Sequence, residues 1–450
     1  MMESRIQSVR YDNGELQRYQ MVSGFEWRDL LFVKPEPSKE CFEELARMFK
    51  AFMIAQHHEL YGAMLAFHVP EDIKIPFPAE TEYGKVFDRH IAATIGLRRL
   101  VKEGRIRNEN RTLVFDDPEV EAFIRALDER GFVIRGFGDR TDVSIVAVGD
   151  DMGYLSAVAP RPKLVFNSHF FIFDLTDNDS PYDVLGTPFG LVVKDGVVSQ
   201  PPLNGREALL VDRHGKVEIS RPALENMTIG IQGFAFRHGE NCTVYRRPGT
   251  RVTPEEEGLD LVIVGDRVVA MHQGGQVRVP MAGFVLHTQK ALDMCPSPVV
   301  FHGFEDCIFG IQVGSSAVKD GVVAQGFESP FYDIRDRESV PFPPTLYPLD
   351  YARSRAPRMA LCSDASGKPA IIWAEGPSKL FYRKGEESCG ASLLELGEYC
   401  RSIGMVNALN LDGGGSAEIF LEGRLSMHVS DRYMDNSDAE RPVPMGLMVR

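Results

Sequence analysis

The sequence predicts an α+β fold, in which a body of mostly antiparallel β-sheet with flanking helices follows an N-terminal helical accessory region. Short β-branched runs separated by Gly, Asp and Asn fill the chain after about residue 140. Turn dipeptides such as Asp195-Gly196 separate several of these runs, as they do in antiparallel hairpins. Before residue 140, apolar residues recur at helical spacing. We therefore expect a helical domain over residues 1–139 and a β-rich domain over residues 140–450.

The N-terminal third contains three predicted helices, at about 38–67, 83–103 and 116–131, and the third has a proline in its first turn. This region shows no chemical motif. His57 and His58 are adjacent, so they point to different sides of a helix, and a partly exposed helix face is a better interpretation than a metal site. We expect the region to dock a partner, to form a homo-oligomer through its helices, or to cover a site.

Composition excludes some classes of protein. The net charge of −14 argues against a nucleic-acid-binding surface, which needs clustered Lys and Arg. The first residues lack the apolar run of a signal peptide, and no stretch approaches the length of a membrane span. Seven cysteines without a CxxC pair indicate reduced thiols. We expect a cytoplasmic protein with no membrane partner.

Within the body, β-branched runs and turn residues predict a series of antiparallel strands. The predicted hairpins at 192–198 and 318–323 are nearly identical in sequence. This similarity indicates either a weak internal duplication or, more simply, common hairpin chemistry. Further turns are expected where Gly follows or precedes a polar residue between such runs. The predicted strands, hairpins and turns are 143–148, 164–166, 192–198, 214–216, 265–266, 318–323, 366–368, 422–423 and 445–449.

The segment 408–416 (Ala-Leu-Asn-Leu-Asp-Gly-Gly-Gly-Ser) is the strongest candidate for a site. A strand here would place Leu409 and Leu411 in the core and Asn410 and Asp412 on the other face. The three glycines that follow allow backbone amides to crowd against an anion. A tight turn with a solvated Asp is the plain alternative. A short helix at 390–404 precedes the strand, and its residues predict a capping box, an apolar stripe and a glycine stop.

Other polar positions interrupt the strand pattern. Asn167 and His169 share one face at the end of a strand, between aromatic residues. Gly314 and Ser315 end a strand in a turn of small residues. Arg358 begins a strand and Arg441 precedes the last one, although single arginines are usually solvated. The remaining candidates belong to the glycine segment: Asn410, Asp412, Gly413, Gly414, Gly415 and Ser416.

Taken together, these segments resemble the phosphodiester glycosidase family over roughly residues 140–450. The glycine segment and the closing Arg-Pro-Val-Pro are specific, whereas the hairpins alone carry little weight. The matching segments are Asn167–Phe171, Gly190–Gly196, Val313–Ser315, Pro357–Ala360, Leu411–Ser416 and Arg441–Pro444.

The resemblance implies hydrolysis of a sugar-1-phosphodiester at the anomeric carbon, with no required cofactor. Asp412 would stabilise the oxocarbenium-like centre or activate water, and Asn167 would hold sugar hydroxyls. Arg358, Arg441 and the 413–415 amides would stabilise the departing phosphate. Asn410, Ser416, Gly314 and Ser315 would complete the substrate site. A second carboxylate stays open, with Glu418 and Glu440 as candidates.

The sequence also departs from the family pattern beside the retained residues. His169 replaces a usual glycine and adds a titratable ring that could act as acid or base, while Met359, Cys362, Ala417 and Met445 replace smaller or polar residues. Altered specificity is the favoured interpretation and lost turnover is the alternative. Two other functions stay open: a binding module without turnover, and a metal-dependent phosphodiesterase that breaks P–O, whose divalent ion would be held by Asp412, Asp435, Asp438 and His169.

Overall fold

The computed structural model describes most of the chain after residue 151 and parts of it before. The described residues are 2–36, 105–109, 112–115, 117–118, 120–122, 133–137, 140–146, 152–172, 180, 182, 186–203, 206–247, 249–325, 355–378, 382–432 and 436–450.

Four sheets make up the described body, and every pairing between their strands is antiparallel. Strands are numbered in chain order. Sheet I has seven strands, in the spatial order β1 (Glu3–Arg10), β2 (Leu16–Ser23), β24 (Pro369–Ala374), β23 (Arg358–Asp364), β25 (Met405–Asn410), β21 (Ser316–Lys319) and β22 (Val322–Val323). Sheet II has five, in the order β10 (Val197–Gln200), β9 (Val192–Lys194), β20 (Cys307–Gln312), β11 (Ala208–Asp212) and β12 (Val217–Ser220).

Sheet III also has seven strands and is built from the middle of the chain. Its order is β14 (Phe234–Arg237), β13 (Thr228–Ile231), β19 (Ser297–His302), β17 (Arg267–Gln273), β16 (Leu259–Val264), β18 (Gly283–Thr288) and β15 (Thr243–Arg246). Sheet IV has five strands, in the order β27 (Arg424–Leu425), β26 (Ile419–Leu421), β8 (Leu164–Asn167), β28 (Gly446–Val449) and β3 (Leu31–Val33). Two separate hairpins are β4 (Ile106–Glu109) with β5 (Thr112–Phe115), and β6 (Val133–Phe137) with β7 (Arg140–Val146).

The predicted α+β class with an N-terminal helical accessory region is wrong, because the described residues form a β-rich fold. Residues 2–36 contain strands that extend the body: β2 pairs with β24 and β3 pairs with β28. The edge groups of a sheet need hydrogen-bond partners, and these strands supply them. Of the three predicted helices, 38–67 and 83–103 lie outside the described residues, and only the start of the third is seen, at Pro118. The division into two domains between residues 139 and 140 stays a prediction.

The helix α1 (Leu393–Ser402) has the ends that its sequence predicts. Ser392 Oγ accepts a hydrogen bond from the Glu395 amide at 3.2 Å, and the Glu395 carboxylate accepts one from the Ser392 amide at 2.9 Å. Gly404 has φ +90°, which ends the helix. No helix in the described part of the chain has the length and apolarity needed to cross a membrane.

A large apolar core lies where sheets I, II and IV meet. Side chains alternate across sheet I, so Leu361, Leu409 and Trp373 enter this core. The neighbouring residues Ala360 and Cys362 face α1 instead, and their small size lets the helix approach the sheet. A second core lies between sheet II and sheet III and contains side chains from both. The sheets are therefore fixed to one another by apolar packing.

We predict that Leu409→Ala lowers the free energy of unfolding by about 2–5 kcal/mol, because the removed side chain leaves a cavity in the shared core. Urea unfolding measures this change. Val322→Ala is the matched control at an exposed strand position, where the expected change is within about 0.5 kcal/mol. Equal effects of the two substitutions would contradict the assignment of Leu409 to the core.

Candidate active site

Four distant segments of the chain meet where sheet I passes into sheet IV. Strand β25 ends at Asn410, Asp412 follows, and a 3-10 turn at Gly414–Ser416 carries the chain into β26. The start of β23, the end of β8 and the residues before β28 lie around this turn. The predicted strand with Leu409 and Leu411 in the core and Asn410 on the opposite face is confirmed.

Arg358 lies beside Asp412 because β23 and β25 are adjacent. Ala360 is paired with Asn410 in an antiparallel register. Two residues further along this register, Arg358 lies opposite Asp412, and both are on the same face of the sheet as Ala360 and Asn410. The Leu411 amide donates to the carbonyl of Met359 at 2.8 Å, which continues the pairing past the end of β25. Arg358 is buried, and its Nε donates to the Ala391 carbonyl at 3.1 Å. A cation is thus fixed next to a carboxylate that is half-buried.

Asn167 holds the two ends of the glycine turn together. Its Nδ2 donates to the Asp412 carbonyl at 2.8 Å, and its Oδ1 accepts from the Glu418 amide at 3.2 Å. The next residue also contributes, since the Asp412 amide donates to the Ser168 carbonyl at 2.9 Å. The side-chain amide of Asn167 therefore positions Asp412 and Glu418, and its contact with sugar hydroxyls stays a prediction.

Two of the three glycine amides donate to acceptors within the protein. The Gly413 amide donates to Oδ1 of Asp412 at 2.8 Å, and the Gly414 amide donates to the Pro357 carbonyl at 3.0 Å. Gly414 has φ +61°, a conformation that favours glycine. The amides of Gly413 and Gly414 thus fix the turn and the Asp412 carboxylate, and the concavity for an anion stays a prediction.

A buried ion pair lies against the turn. Arg441 donates to Asp431 Oδ2 from Nε at 2.9 Å and from Nη2 at 2.5 Å, and Nη1 donates to Ser416 Oγ at 3.3 Å. Both charged side chains are buried. A Cβ at Gly415 would lie 1.8 Å from Nη2 and 2.2 Å from Asp431 Oδ2. Gly415 is therefore required for the close approach of this ion pair to the backbone.

The turn at Gly314 and Ser315 packs against Asn410. The Gly314 amide donates to the Asn410 carbonyl at 2.9 Å, and the Asn410 amide donates to the Ser315 carbonyl at 3.1 Å. A Cβ on Gly314 would lie 2.7 Å from Nδ2 of Asn410. Ser316, one residue on, donates from its hydroxyl to Glu207 at 2.5 Å. The structure thus places this turn at the site through backbone contacts.

His169 is fully buried beside the site. Its Nδ1 is 3.0 Å from Ser168 Oγ, and its Nε2 is 3.4 Å from the Leu191 carbonyl. Burial disfavours the charged imidazolium and lowers the pKa of His169 from 6.5 to about 4. The ring is therefore neutral at pH 7, with both nitrogens directed at groups of the protein. An acid/base role for His169 stays a prediction.

Two further carboxyl groups lie near the ion pair. Glu418 is fully buried, and no described residue offers a hydrogen-bond partner to either of its carboxyl oxygens. Burial raises its pKa well above the usual range, and repulsion from Glu440, Asp431 and Asp412 adds to this, whereas Arg441 acts in the opposite direction. Burial also raises the pKa of Glu440, whose Oε1 accepts from the Ser156 amide at 2.9 Å.

Asp438 and His169, two of the residues suggested as metal ligands, bind different partners in the structure. Asp438 accepts from Arg432 Nη1 at 2.6 Å and lies 2.9 Å from His428 Nδ1, whereas His169 faces Ser168. Asp435 lies outside the described residues. Within the described part of the chain, no three His, Cys, Asp or Glu side chains are grouped as metal ligands.

Sequence reasoning missed Asp431 and did not choose between Glu418 and Glu440. Asp431 lies in a loop without a periodic pattern, so nothing in the sequence marks it as the partner of Arg441. Glu418 does carry a signal, because it is a charged residue on the strand side of a glycine turn and next to apolar Ile419. Its burial could not be read from that position alone.

Comparison with known proteins supports the family predicted from the sequence. A family model described as phosphodiester glycosidase matches residues 227–450. This range includes Arg358, the glycine turn and Arg441, while Asn167 and His169 precede it. Among curated relatives, N-acetylglucosamine-1-phosphodiester alpha-N-acetylglucosaminidase from Mus musculus is 46% identical over 63 residues, 14% of this chain and 12% of that protein. The protein of that name from Homo sapiens is 37% identical over 79 residues, 18% and 14% of the two chains.

Solved structures show weaker similarity. A hypothetical protein from Synechocystis matches with a TM-score of 0.45 and 14% identity, covering all of this chain and 62% of that one. The catalytic domain of zebrafish N-acetylglucosamine-1-phosphodiester alpha-N-acetylglucosaminidase matches with a TM-score of 0.40 and 11% identity, covering 100% and 83%. Neither score supports a conclusion about the fold.

We predict that Gly415→Ala destabilises the protein by about 3–5 kcal/mol, because the added Cβ separates Arg441 from Asp431 and leaves buried charges uncompensated. Urea unfolding measures the change. Gly414→Ala is the matched control: its Cβ would meet no atom within 4 Å, so only the positive φ opposes it, at about 1 kcal/mol. Equal destabilisation by both variants would show that the ion pair does not depend on Gly415.

We predict that His169 makes the protein less stable as the pH falls from 6.5 to 4. Between these values the unfolded chain binds a proton at this residue and the folded chain does not, so the free energy of unfolding decreases by up to about 3 kcal/mol. Urea unfolding across this range should show a shallower loss in His169→Gln than in the wild type. The exposed His214→Gln variant should keep the wild-type slope, and a wild-type slope in His169→Gln would refute the neutral buried ring.

Proposed function

Residues 227–450 belong to the phosphodiester glycosidase family, and from this premise we propose that the protein hydrolyses the glycosidic C–O bond of a sugar-1-phosphodiester. The products would be a free sugar and a phosphate monoester. The aligned segments span only 12% and 14% of the curated relatives' lengths, so their activity is transferred to this chain only as part of the proposal.

The observation that carries the proposal is the position of Asp412 at the junction of sheets I and IV. Its backbone is held on three sides, by Asn167, by Ser168 and by the pairing with β23. Its carboxylate is half-buried and accepts a hydrogen bond from the Gly413 amide, which favours the ionised form. A carboxylate with a fixed position and a fixed charge can stabilise an oxocarbenium-like centre or remove a proton from the attacking water.

Arg358 is the cation proposed to stabilise the departing phosphate. It is buried on the face that Asp412 shares, and a buried guanidinium interacts with phosphate more strongly than an exposed one. Arg441 is instead neutralised by Asp431. We therefore assign Arg441 to the support of Ser416 and the glycine turn, and Arg358 to the substrate.

We further propose that the substrate differs from that of the named relatives. His169 fills space next to Ser168 and is held by the carbonyl of Leu191. Met359 and Cys362 are fully buried on β23, one toward the shared core and the other toward α1. His169 thus adds bulk beside the motif residues and would reshape the space left for the sugar, whereas Met359 and Cys362 are packed in the apolar cores.

We predict that Asp412→Asn lowers kcat for sugar release by about 100-fold or more, because the amide cannot provide the negative charge or accept the water proton. Purified protein is incubated with a panel of sugar-1-phosphodiesters and the free sugar is measured. The exposed Asp293→Asn variant is the control and should keep the wild-type rate. Undiminished turnover by Asp412→Asn would reject Asp412 as the reacting carboxylate.

The bond that breaks is identified by the same reaction in ¹⁸O-labelled water. Label in the sugar indicates C–O cleavage, as proposed, while label in the phosphate indicates the alternative phosphodiesterase reaction. Binding without any turnover would indicate a module that recognises sugar phosphates and does not hydrolyse them, and thermal stabilisation by the ligand would then follow mass action.

A further inference from the structure

Glu418 is a buried ionisable group next to the glycine turn that the proposed reaction has not yet used. It is 0% exposed, and the described residues leave both of its carboxyl oxygens without a hydrogen-bond partner. A fully buried carboxyl without a hydrogen-bond partner is costly in its charged form, and it persists only where something compensates for it. Its backbone, by contrast, is fixed, because its amide donates to Asn167.

The position of Glu418 relates it directly to Asp412. Asn167 binds the Asp412 carbonyl with one end of its side-chain amide and the Glu418 amide with the other. The two acidic residues therefore flank the glycine turn and are held by the same side chain. They differ in environment, since Asp412 is half-buried and accepts an amide hydrogen bond, while Glu418 is fully buried and accepts none.

We propose that Glu418 is the second carboxyl group of the active site and donates its proton to the departing phosphate oxygen. This inference rests on the proposed function. Two carboxyl groups whose environments favour opposite protonation states are the arrangement that glycoside hydrolysis requires, one as acid and the other as base or stabilising charge.

The charges around Glu418 explain why it keeps a proton. Glu440, Asp431 and Asp412 face it with negative charge, and Arg441, the positive group nearby, is already paired with Asp431. Ionising Glu418 would place another negative charge in this cluster. Burial and repulsion together therefore raise the pKa of Glu418 and favour its neutral, protonated form.

The proposed step balances in atoms and charge. The C–O bond between the anomeric carbon and the phosphate oxygen breaks, and its electron pair stays on that oxygen, which takes the proton from Glu418. A water oxygen bonds to the anomeric carbon, and Asp412 accepts the proton that this water releases. Solvent then carries the proton from Asp412 back to Glu418. The phosphate leaves as a monoanion, which limits the negative charge next to Asp431 and Glu440.

The test compares the pH dependence of kcat for the full-length wild type and the Glu418→Gln variant, with sugar-1-phosphodiesters as substrates. Gln keeps the size and neutrality of the protonated acid and cannot transfer its proton. We expect kcat to fall by about 100-fold or more. We also expect the variant to lack the decrease in rate that the wild type shows as the pH rises through the pKa of Glu418. The exposed Glu398→Gln variant is the control and should keep the wild-type rate and profile.

Two further measurements separate catalysis from structure. The loss of rate in Glu418→Gln should be smaller when the departing phosphate carries an electron-withdrawing aryl ester than when it carries an alkyl ester, since a better leaving group needs the proton less. Glu418→Asp, which retains an acid, should recover part of the rate and the high-pH decrease. A merely structural role would give neither result.

The outcomes distinguish this inference from the function on which it rests. A wild type that releases sugar while Glu418→Gln keeps its rate and its pH profile would overturn the role of Glu418 and leave the proposed function intact. A wild type that releases no sugar from any phosphodiester in the panel would overturn the proposed function, and the role of Glu418 with it.

Discussion

The buried ion pair between Arg441 and Asp431 is the interaction on which the site depends. It lies at the turn that joins sheet I to sheet IV, and it contacts Ser416 through the same guanidinium. Buried charges are tolerated only when they are paired with good geometry, so the pair and the glycine that makes room for it must form together. The ion pair thus supports the turn that lies between Asp412 and Glu418, while Asn167 holds the backbone of both residues.

The ion pair also sets the electrostatics of the site. Arg441 is paired with Asp431. Arg358, in contrast, lies on the same face of sheet I as Asp412. The cluster of acidic groups around Arg441 then has more negative than positive charge, and burial raises the pKa of both Glu418 and Glu440. Burial and the surrounding negative charge thus favour the neutral form of Glu418.

The remaining sheets act as a frame for this junction. Sheet II shares the central core with sheets I and IV, while sheet III packs on sheet II through a core of its own. Sheet III therefore lies one layer away from the glycine turn. Sheet II reaches the site at the end of its central strand, β20, where the turn at Gly314 and Ser315 contacts Asn410. The strands thus support a candidate site whose proposed reacting groups lie at strand ends and in the turns between them.

The sequence by itself determined the local features. The capping box of Ser392 and Glu395, the hairpin turns at Asp195 and Asp320, and the alternation of Leu409 and Leu411 follow from short-range geometry, and each is confirmed. The family was also readable, because the glycine segment and the closing Arg-Pro-Val-Pro are contiguous motifs. Such features involve residues only a few positions apart, so their spacing alone encodes them.

Only the tertiary structure decided how distant segments combine. It paired the N-terminal strands with the body, where periodicity had suggested a helical region, because strand pairing depends on partners more than 300 residues away. It joined Arg441 to Asp431 and left Glu418 buried among acidic neighbours. Burial and charge pairing depend on which side chains share a volume, and that is a property of the folded chain that no local pattern records.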